Sequence, residues 1–290
     1  MKGGLKLYLK GMLMGICDLV PGISGGTIAF ITGIYERLIR AIYYITPGTV
    51  WLFIKGVFTF NKTEVKEGFR RVDGLFLLIL IAGVLTSILL GARLMSFLLA
   101  HYPTFVFSFF LGLILASSKN VYTEIEVHSN KNLMVGILGV LIGISLVFLS
   151  PQSIHDPSML YIAVGGFAAI MALFLPGISG AFILLIMGLY EFILQAVHNP
   201  IKHIDIFLVF AVGALIGVYI ISRIITFCFK ANKCMTLYFL LGLVVGTLGV
   251  PVKRIFEDGH DFGVASLVIS IILCLLGASV ALLPNKAKKK

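Results

Sequence analysis

Long apolar runs separated by short polar stretches set the pattern of this chain. Six of them are uninterrupted, over about 75–98, 104–118, 133–150, 206–228, 236–251 and 263–283. Each is expected to cross a bilayer as a helix, which needs ~20 mostly apolar residues. Two more runs, 7–35 and 161–195, are cut in the middle, the first by Pro21-Gly22-Ile23-Ser24-Gly25-Gly26 and the second by Pro176-Gly177-Ile178-Ser179-Gly180. Proline removes a helical donor and glycine favours non-helical backbone, so each run is expected to give two helices of about ten residues. Irregular backbone at membrane depth survives only when enclosed by protein or beside a wet cavity. Both runs are therefore expected to be re-entrant hairpins that enter and leave on one side. The more polar stretch 37–73 reads as a cytoplasmic loop with an interfacial helix.

The two cut runs are copies of each other. At an offset of 155 residues, Pro21–Glu36 (PGISGGTIAFITGIYE) meets Pro176–Glu191 (PGISGAFILLIMGLYE), with 10 of 16 positions identical. A weaker match at an offset of 130 sets Arg93 on Arg223 and Phe97 on Phe227. The expected fold class is an all-α polytopic membrane protein with two repeats, 1–152 and 153–284, followed by a basic tail, 285–290. Each repeat is one hairpin plus three spans. Three is odd, so the second repeat is expected to be inverted, an arrangement typical of secondary transporters with a site where the repeats meet.

Composition supports this class. Of 290 residues 59% are hydrophobic and only 12% charged, against about a quarter charged in soluble domains. The net charge of +10 acquires a meaning once the residues are placed on the spans. With the N-terminus inside, 18 of the 23 Lys and Arg fall on the cytoplasmic side, 3 outside, and 2 (Arg93 and Arg223) within spans. That bias follows the positive-inside rule and puts both termini in the cytoplasm. It also accounts for the charge without nucleic acid. The apolar start is cut by Lys10 with no small-residue cleavage site after it, which is not the pattern of a signal peptide. The four cysteines show no metal or redox spacing.

The chemistry is concentrated at the breaks. A helix restarting at Ser24-Gly25 or Ser179-Gly180 offers unpaired N–H groups and a positive dipole end. Glycines admit a ligand to the backbone, and a hydroxyl adds a donor. Gly22, Ser24, Gly25, Gly26, Thr27, Gly177, Ser179 and Gly180 are therefore candidate anion-binding residues. Arg93 and Arg223 are candidate phosphate clamps, since an arginine within a span costs at least ~2.5–3.5 kcal/mol and so usually has a partner or a task; snorkelling to headgroups is the alternative. Tyr35-Glu36 and Tyr190-Glu191 recur at the ends of the second arms as candidate gating or coupling groups, and Asp18 is a third, asymmetric one because its counterpart is Leu173. A serine nucleophile would need a histidine base in reach. All six histidines fall in loops or at span ends, so no enzyme is expected. No metal-ligand or nucleotide-binding pattern occurs, and neither metal nor cofactor is expected.

Around Asp18-Leu19-Val20-Pro21-Gly22-Ile23-Ser24-Gly25-Gly26-Thr27 and Leu175-Pro176-Gly177-Ile178-Ser179-Gly180, the chain resembles the polyprenyl-phosphate transporter family (PopT). The resemblance covers essentially the whole chain. It departs at Ala181, which replaces the second glycine and implies a slightly tighter second site. It implies a translocase returning undecaprenyl phosphate from the outer to the cytoplasmic leaflet of a bacterial cytoplasmic membrane after cell-envelope polymer synthesis. The partners would be the lipid and a coupling cation, H⁺ or Na⁺, with membrane potential as another driver. The residues alone also fit a secondary transporter or channel for a small anion. A cavity open sideways to lipid would favour the lipid cargo, and a closed vestibule the small anion.

The charge bias makes a direct prediction. Single cysteines near Lys62 or Lys288 should resist a membrane-impermeant thiol reagent in intact cells, while cysteines in 151–160 should react. The reverse pattern would defeat the topology.

Overall fold

The structure is a computed structural model that describes residues 2–20, 23–123, 125–149, 154, 156–198, 202–257 and 263–282. Gly22 and the tail 285–290 lie outside the described residues. Among the described residues every regular element is a helix.

Each cut run carries one break more than expected, so that a third helix starts at or near its end. The first gives α1 (Lys2–Asp18), α2 (Gly25–Ile31) and α3 (Tyr35–Tyr43). The second gives α9 (Met159–Phe174), α10 (Gly180–Ile186) and α11 (Tyr190–His198). Shifted by 155 residues, α2 falls on α10 and α3 on α11, end for end. The additional break has a local cause. Gly33 and Gly188 have φ of 72° and 71°, a left-handed conformation that ends a helix. The closing bonds match as well: Ile34 N–H donates to Ala29 O at 3.0 Å and Leu189 N–H to Leu184 O at 2.9 Å.

A second break frees more carbonyls inside the apolar layer, and each copy supplies a donor. Lys10 Nζ on α1 donates to Thr32 O at 2.6 Å, and Tyr161 Oη on α9 donates to Met187 O at 3.0 Å. Thr32 and Met187 are counterparts in the repeat, whereas Lys10 and Tyr161 are not. Different side chains thus meet the same requirement.

The stretch after α3 holds two helices rather than one, α4 (Pro47–Phe58) and α5 (Lys62–Arg71). Thr46 caps α4 through Thr49 N–H, and Asn61 caps α5 through Thr63 and Glu64 N–H. They pack where Gly56 meets Val65, and Lys55 pairs with Glu64 at 2.9 Å. Trp51, Phe58 and Phe60 remain exposed, as suits a helix pair at an interface.

Among the described residues six segments are long and apolar enough to cross a membrane: α6 (Gly74–His101), α7 (Pro103–Thr123), α8 (Asn130–Val147), α12 (Ile204–Ala231), the pair α13 (Lys233–Thr247) and α14 (Gly249–Glu257), and α15 (Val264–Leu282). A seventh arises only if α3 and α4, bent by 71°, count as one span. Several helices outrun their apolar stretches. The extension of α7 past Ser118 is packed, not looped, because Asn120 Nδ2 donates to Ala281 O at 3.2 Å.

The chain divides into two compact units. The first comprises Met1–Gly91 and Leu149–Lys233, so both broken segments lie in it, and the second Ala92–Phe148 and Cys234–Lys290. Within the first, α9 and α12 approach closely, with Gly213 against Ala163 O and Gly166 against Phe210 O. Within the second, Gly112 on α7 meets Cys274 O and Gly277 on α15 meets Phe109 O. Small residues permit such contact in lipid, where hydrophobic burial no longer drives helix association.

Gly112→Val should therefore destabilise the second unit by about 1–3 kcal/mol, the usual cost of overpacking. Gly3, with nothing within 4 Å of an added Cβ, should accept Ala without loss. Thermal unfolding of the purified variants in detergent would compare them.

Candidate functional site at the paired breaks

At the first break the backbone donors find partners within the protein. Ser24 is the N-cap of α2 and its Oγ accepts from Gly26 N–H at 3.1 Å. Gly25 N–H donates to Asp18 Oδ1 at 2.6 Å. Asp18 closes α1, so its carboxylate folds back over the break to the start of the next helix. This short, charge-assisted bond places an anionic oxygen on the amide that the sequence reading left open for a ligand. Ser24 and Thr27 are 1% and 2% exposed, which makes the first tip closed in this conformation.

The second tip reaches the first. Gly177 N–H donates to Thr27 Oγ1 at 2.7 Å. A Cβ on Gly26 would lie 2.6 Å from Leu173 O, so only glycine fits where the end of α9 meets the start of α2. Tyr35 Oη donates to Phe174 O at 2.6 Å, taking up a carbonyl freed where α9 ends. Gly177 itself has φ of 91°. The structure thus brings Ser24, Gly25, Gly26, Thr27 and Gly177 together, with Asp18 and Tyr35 beside them.

The copies differ in detail. Ser179 is the N-cap of α10 but makes no side-chain capping bond. Gly180 is buried, with a Cβ position 2.6 Å from Ala169 O. Ala181 is exposed where Gly26 is buried, so the alanine tightens nothing at the junction. Tyr35 is buried and Tyr190 exposed.

Glu36 and Glu191 sit in the first turns of α3 and α11, rather than at the end of an arm, because of the break at Gly33 and Gly188. A carboxylate is favoured there by the helix dipole. Exposed Glu36 also pairs with Lys233 at 2.9 Å. Arg223 lies on α12 with its guanidinium stacked on Tyr219 at 3.3 Å and its Nη1 donating to Tyr219 O at 3.0 Å. It also faces Tyr43 at 5.3 Å. The partners of Arg223 in this conformation are therefore aromatic rings and a carbonyl of its own helix. Arg93 is an exposed side chain on the part of α6 that belongs to the second unit.

Sequence reasoning missed Lys10 as a partner of the second break, and it gave no sign that Thr27, a candidate anion-binding residue, joins the tips in this conformation. The signal for the second break was present in both copies as Gly-x-Tyr-Glu, with Gly33 and Gly188 as its glycines. Nothing in the sequence marked Leu173 and Phe174, which act through backbone carbonyls.

Comparison with known proteins bears on this geometry. Residues 14–260 match the profile of a family described as undecaprenyl phosphate translocase-like. A polyprenyl-phosphate transporter of Vibrio cholerae is 40% identical over 245 residues, covering 84% of this chain and 76% of that protein. A polyprenyl-phosphate transporter of Staphylococcus aureus is 30% identical over 292 residues, covering 94% and 93%. No solved structure matches. With six apolar helices, the chain is a multi-pass membrane protein.

The junction can be tested apart from transport. Thr27→Val leaves the Gly177 amide without its acceptor and should cost about 1–3 kcal/mol, while Thr27→Ser should restore most of it. Unfolding in detergent would give the loss, and hydrogen exchange at Gly177 should accelerate in the valine variant alone.

Proposed function

The chain belongs to the undecaprenyl phosphate translocase-like family, and we propose that it carries undecaprenyl phosphate from the outer to the cytoplasmic leaflet for reuse in envelope synthesis. The isoprenoid tail stays in lipid. The phosphate is the obstacle, because moving a charged group into hydrocarbon without compensating partners is prohibitively costly. In this reading it crosses at the paired breaks, where backbone amides and hydroxyls replace water.

One observation carries the proposal. Asp18 already holds a carboxylate oxygen 2.6 Å from Gly25 N–H, beside the Thr27–Gly177 bond that joins the two tips. A carboxyl oxygen is accommodated there, and a phosphate oxygen takes its place when the tips part. Ser24, Gly26, Ser179 and Gly180 complete the proposed cradle. The two repeats insert in opposite senses, so that each opens the cradle to one face of the membrane. Arg223 leaves its ring stack to guide the headgroup toward it, and Arg93 is the other candidate phosphate clamp. Asp18, Glu36 and Glu191, with Tyr35 and Tyr190 beside the glutamates, are the groups through which a coupling cation would act. Chemistry on the substrate has no part in this reading.

A leaflet-exposure assay of undecaprenyl phosphate in proteoliposomes tests it. Wild type should move the lipid, and Gly25→Val and Gly180→Val should each abolish movement, since a β-branched side chain blocks access to the amides. Ser179→Ala should be mild, at about 0.5–1.5 kcal/mol. Asp18→Ala removes the competing carboxyl group and should tighten binding by roughly tenfold or more, since a hydrogen bond to a charged group is worth about 1.5–3 kcal/mol. Full transport by both valine variants would overturn the paired-break site.

A further inference from the structure

A basic site lies in the first unit, on the helix that follows the Gly33 break and on the end of α12. It is a cavity of about 200 Å³ between α3 and the end of α12, lined by Arg40, Tyr43, Thr226, Phe229 and Lys230, with Glu36. Its charge balance is positive. Glu36, the one acidic residue of the lining, is paired with Lys233 at 2.9 Å, leaving Arg40 and Lys230 to define the field of the cavity. Arg37, by contrast, is committed elsewhere, in a two-pronged pair with Asp73 and over the Phe76 ring at 4.4 Å. The walls are aromatic. Lys230 Nζ stands 5.6 Å and the Arg223 guanidinium 5.3 Å from the centroid of Tyr43, which gathers cations around one ring.

Depth and size narrow the ligand. The 28 residues of α12 span about 42 Å, longer than the ~30 Å hydrocarbon core, so its last turns lie among headgroups. Phe227, next to the lining residue Thr226, is 72% exposed, as is fitting for a lipid-facing position. A cavity of about 200 Å³ is smaller than the ~300–1,000 Å³ of sites that enclose a whole drug-sized molecule. It holds a headgroup while the rest of the ligand stays outside. An arginine and a lysine lining one small space suit a dianionic phosphate better than a zwitterionic headgroup.

We infer that this cavity is a docking site for a phosphate monoester carried on a membrane lipid. Resting on the transport reading above, it is the place where the headgroup is held at the basic face of the membrane before release or after entry. Arg40 supplies the planar fork, Lys230 a point charge and Thr226 a hydroxyl, and the aromatic walls cover the first apolar atoms beyond the phosphate.

The test uses the full chain in phosphatidylcholine nanodiscs with three probes: farnesyl phosphate, farnesol and inorganic phosphate. Farnesyl phosphate should bind wild type, and the double variant Arg40→Gln/Lys230→Gln should weaken it at least tenfold. Arg40→Lys/Lys230→Arg should keep most of the affinity, and Thr226→Phe should lose it by filling the space with the charges intact. Farnesol should not bind, and inorganic phosphate should compete only weakly. Farnesyl phosphate bound equally by wild type, the double glutamine variant and Thr226→Phe would overturn the docking site while leaving the transport reading intact. Binding of inorganic phosphate alone, lost in the glutamine variant, would keep the phosphate site, assign it to a soluble source, and count against the lipid-carrier reading.

Discussion

Every interruption of a helix at membrane depth frees backbone donors and acceptors that water is not there to satisfy. Among the described residues each copy of the broken segment is interrupted twice, and each interruption frees groups of this kind. The arrangement of the first unit follows from how those groups are partnered. Asp18 and Ser24 take the amides that start α2, Tyr35 takes the carbonyl that ends α9, and Lys10 and Tyr161 take the carbonyls at the second breaks. In the function proposed above, a structural need and the anion site are made of the same atoms. The groups that satisfy the backbone at rest are those a travelling anion would have to displace.

That constraint also accounts for the asymmetry of the copies. Sequence identity across Pro21–Glu36 and Pro176–Glu191 is high, yet Tyr35 is buried and Tyr190 exposed, and Ser24 caps its helix while Ser179 does not. In the contacts between the copies the first supplies side chains, and the second supplies the Gly177 amide and the carbonyls of Leu173 and Phe174. The basic cavity by Tyr43 lies between α3, the helix that follows the Gly33 break, and the end of α12.

Much of the fold was legible in the sequence, because hydrophobic length and proline–glycine chemistry act locally. Six spans, an all-helical class and the interruptions at Pro21 and Pro176 need only the rise of a helix, the thickness of a bilayer and the missing proline donor. The recurrence of the motif was visible as identity. The second break was also encoded, since Gly33 and Gly188 occupy equivalent positions, but a glycine inside an apolar run reads as tolerated packing until its positive φ is seen. Helix ends ran past their hydropathy limits because hydrogen bonding continues through polar residues when another helix satisfies them, as Ala281 does for Asn120.

The site was legible only as a set of residue types. Composition and spacing determined that serines, glycines and a threonine stand at two breaks, and that arginines lie in spans. Tertiary structure decided their partners. It paired Thr27 with Gly177, 150 positions away, and Tyr35 with Phe174. It turned Asp18 onto Gly25 and set Arg223 against aromatic rings. The physical reason is that a local pattern fixes which backbone groups are freed, whereas their partners come from whatever the packing of distant helices brings within about 3 Å.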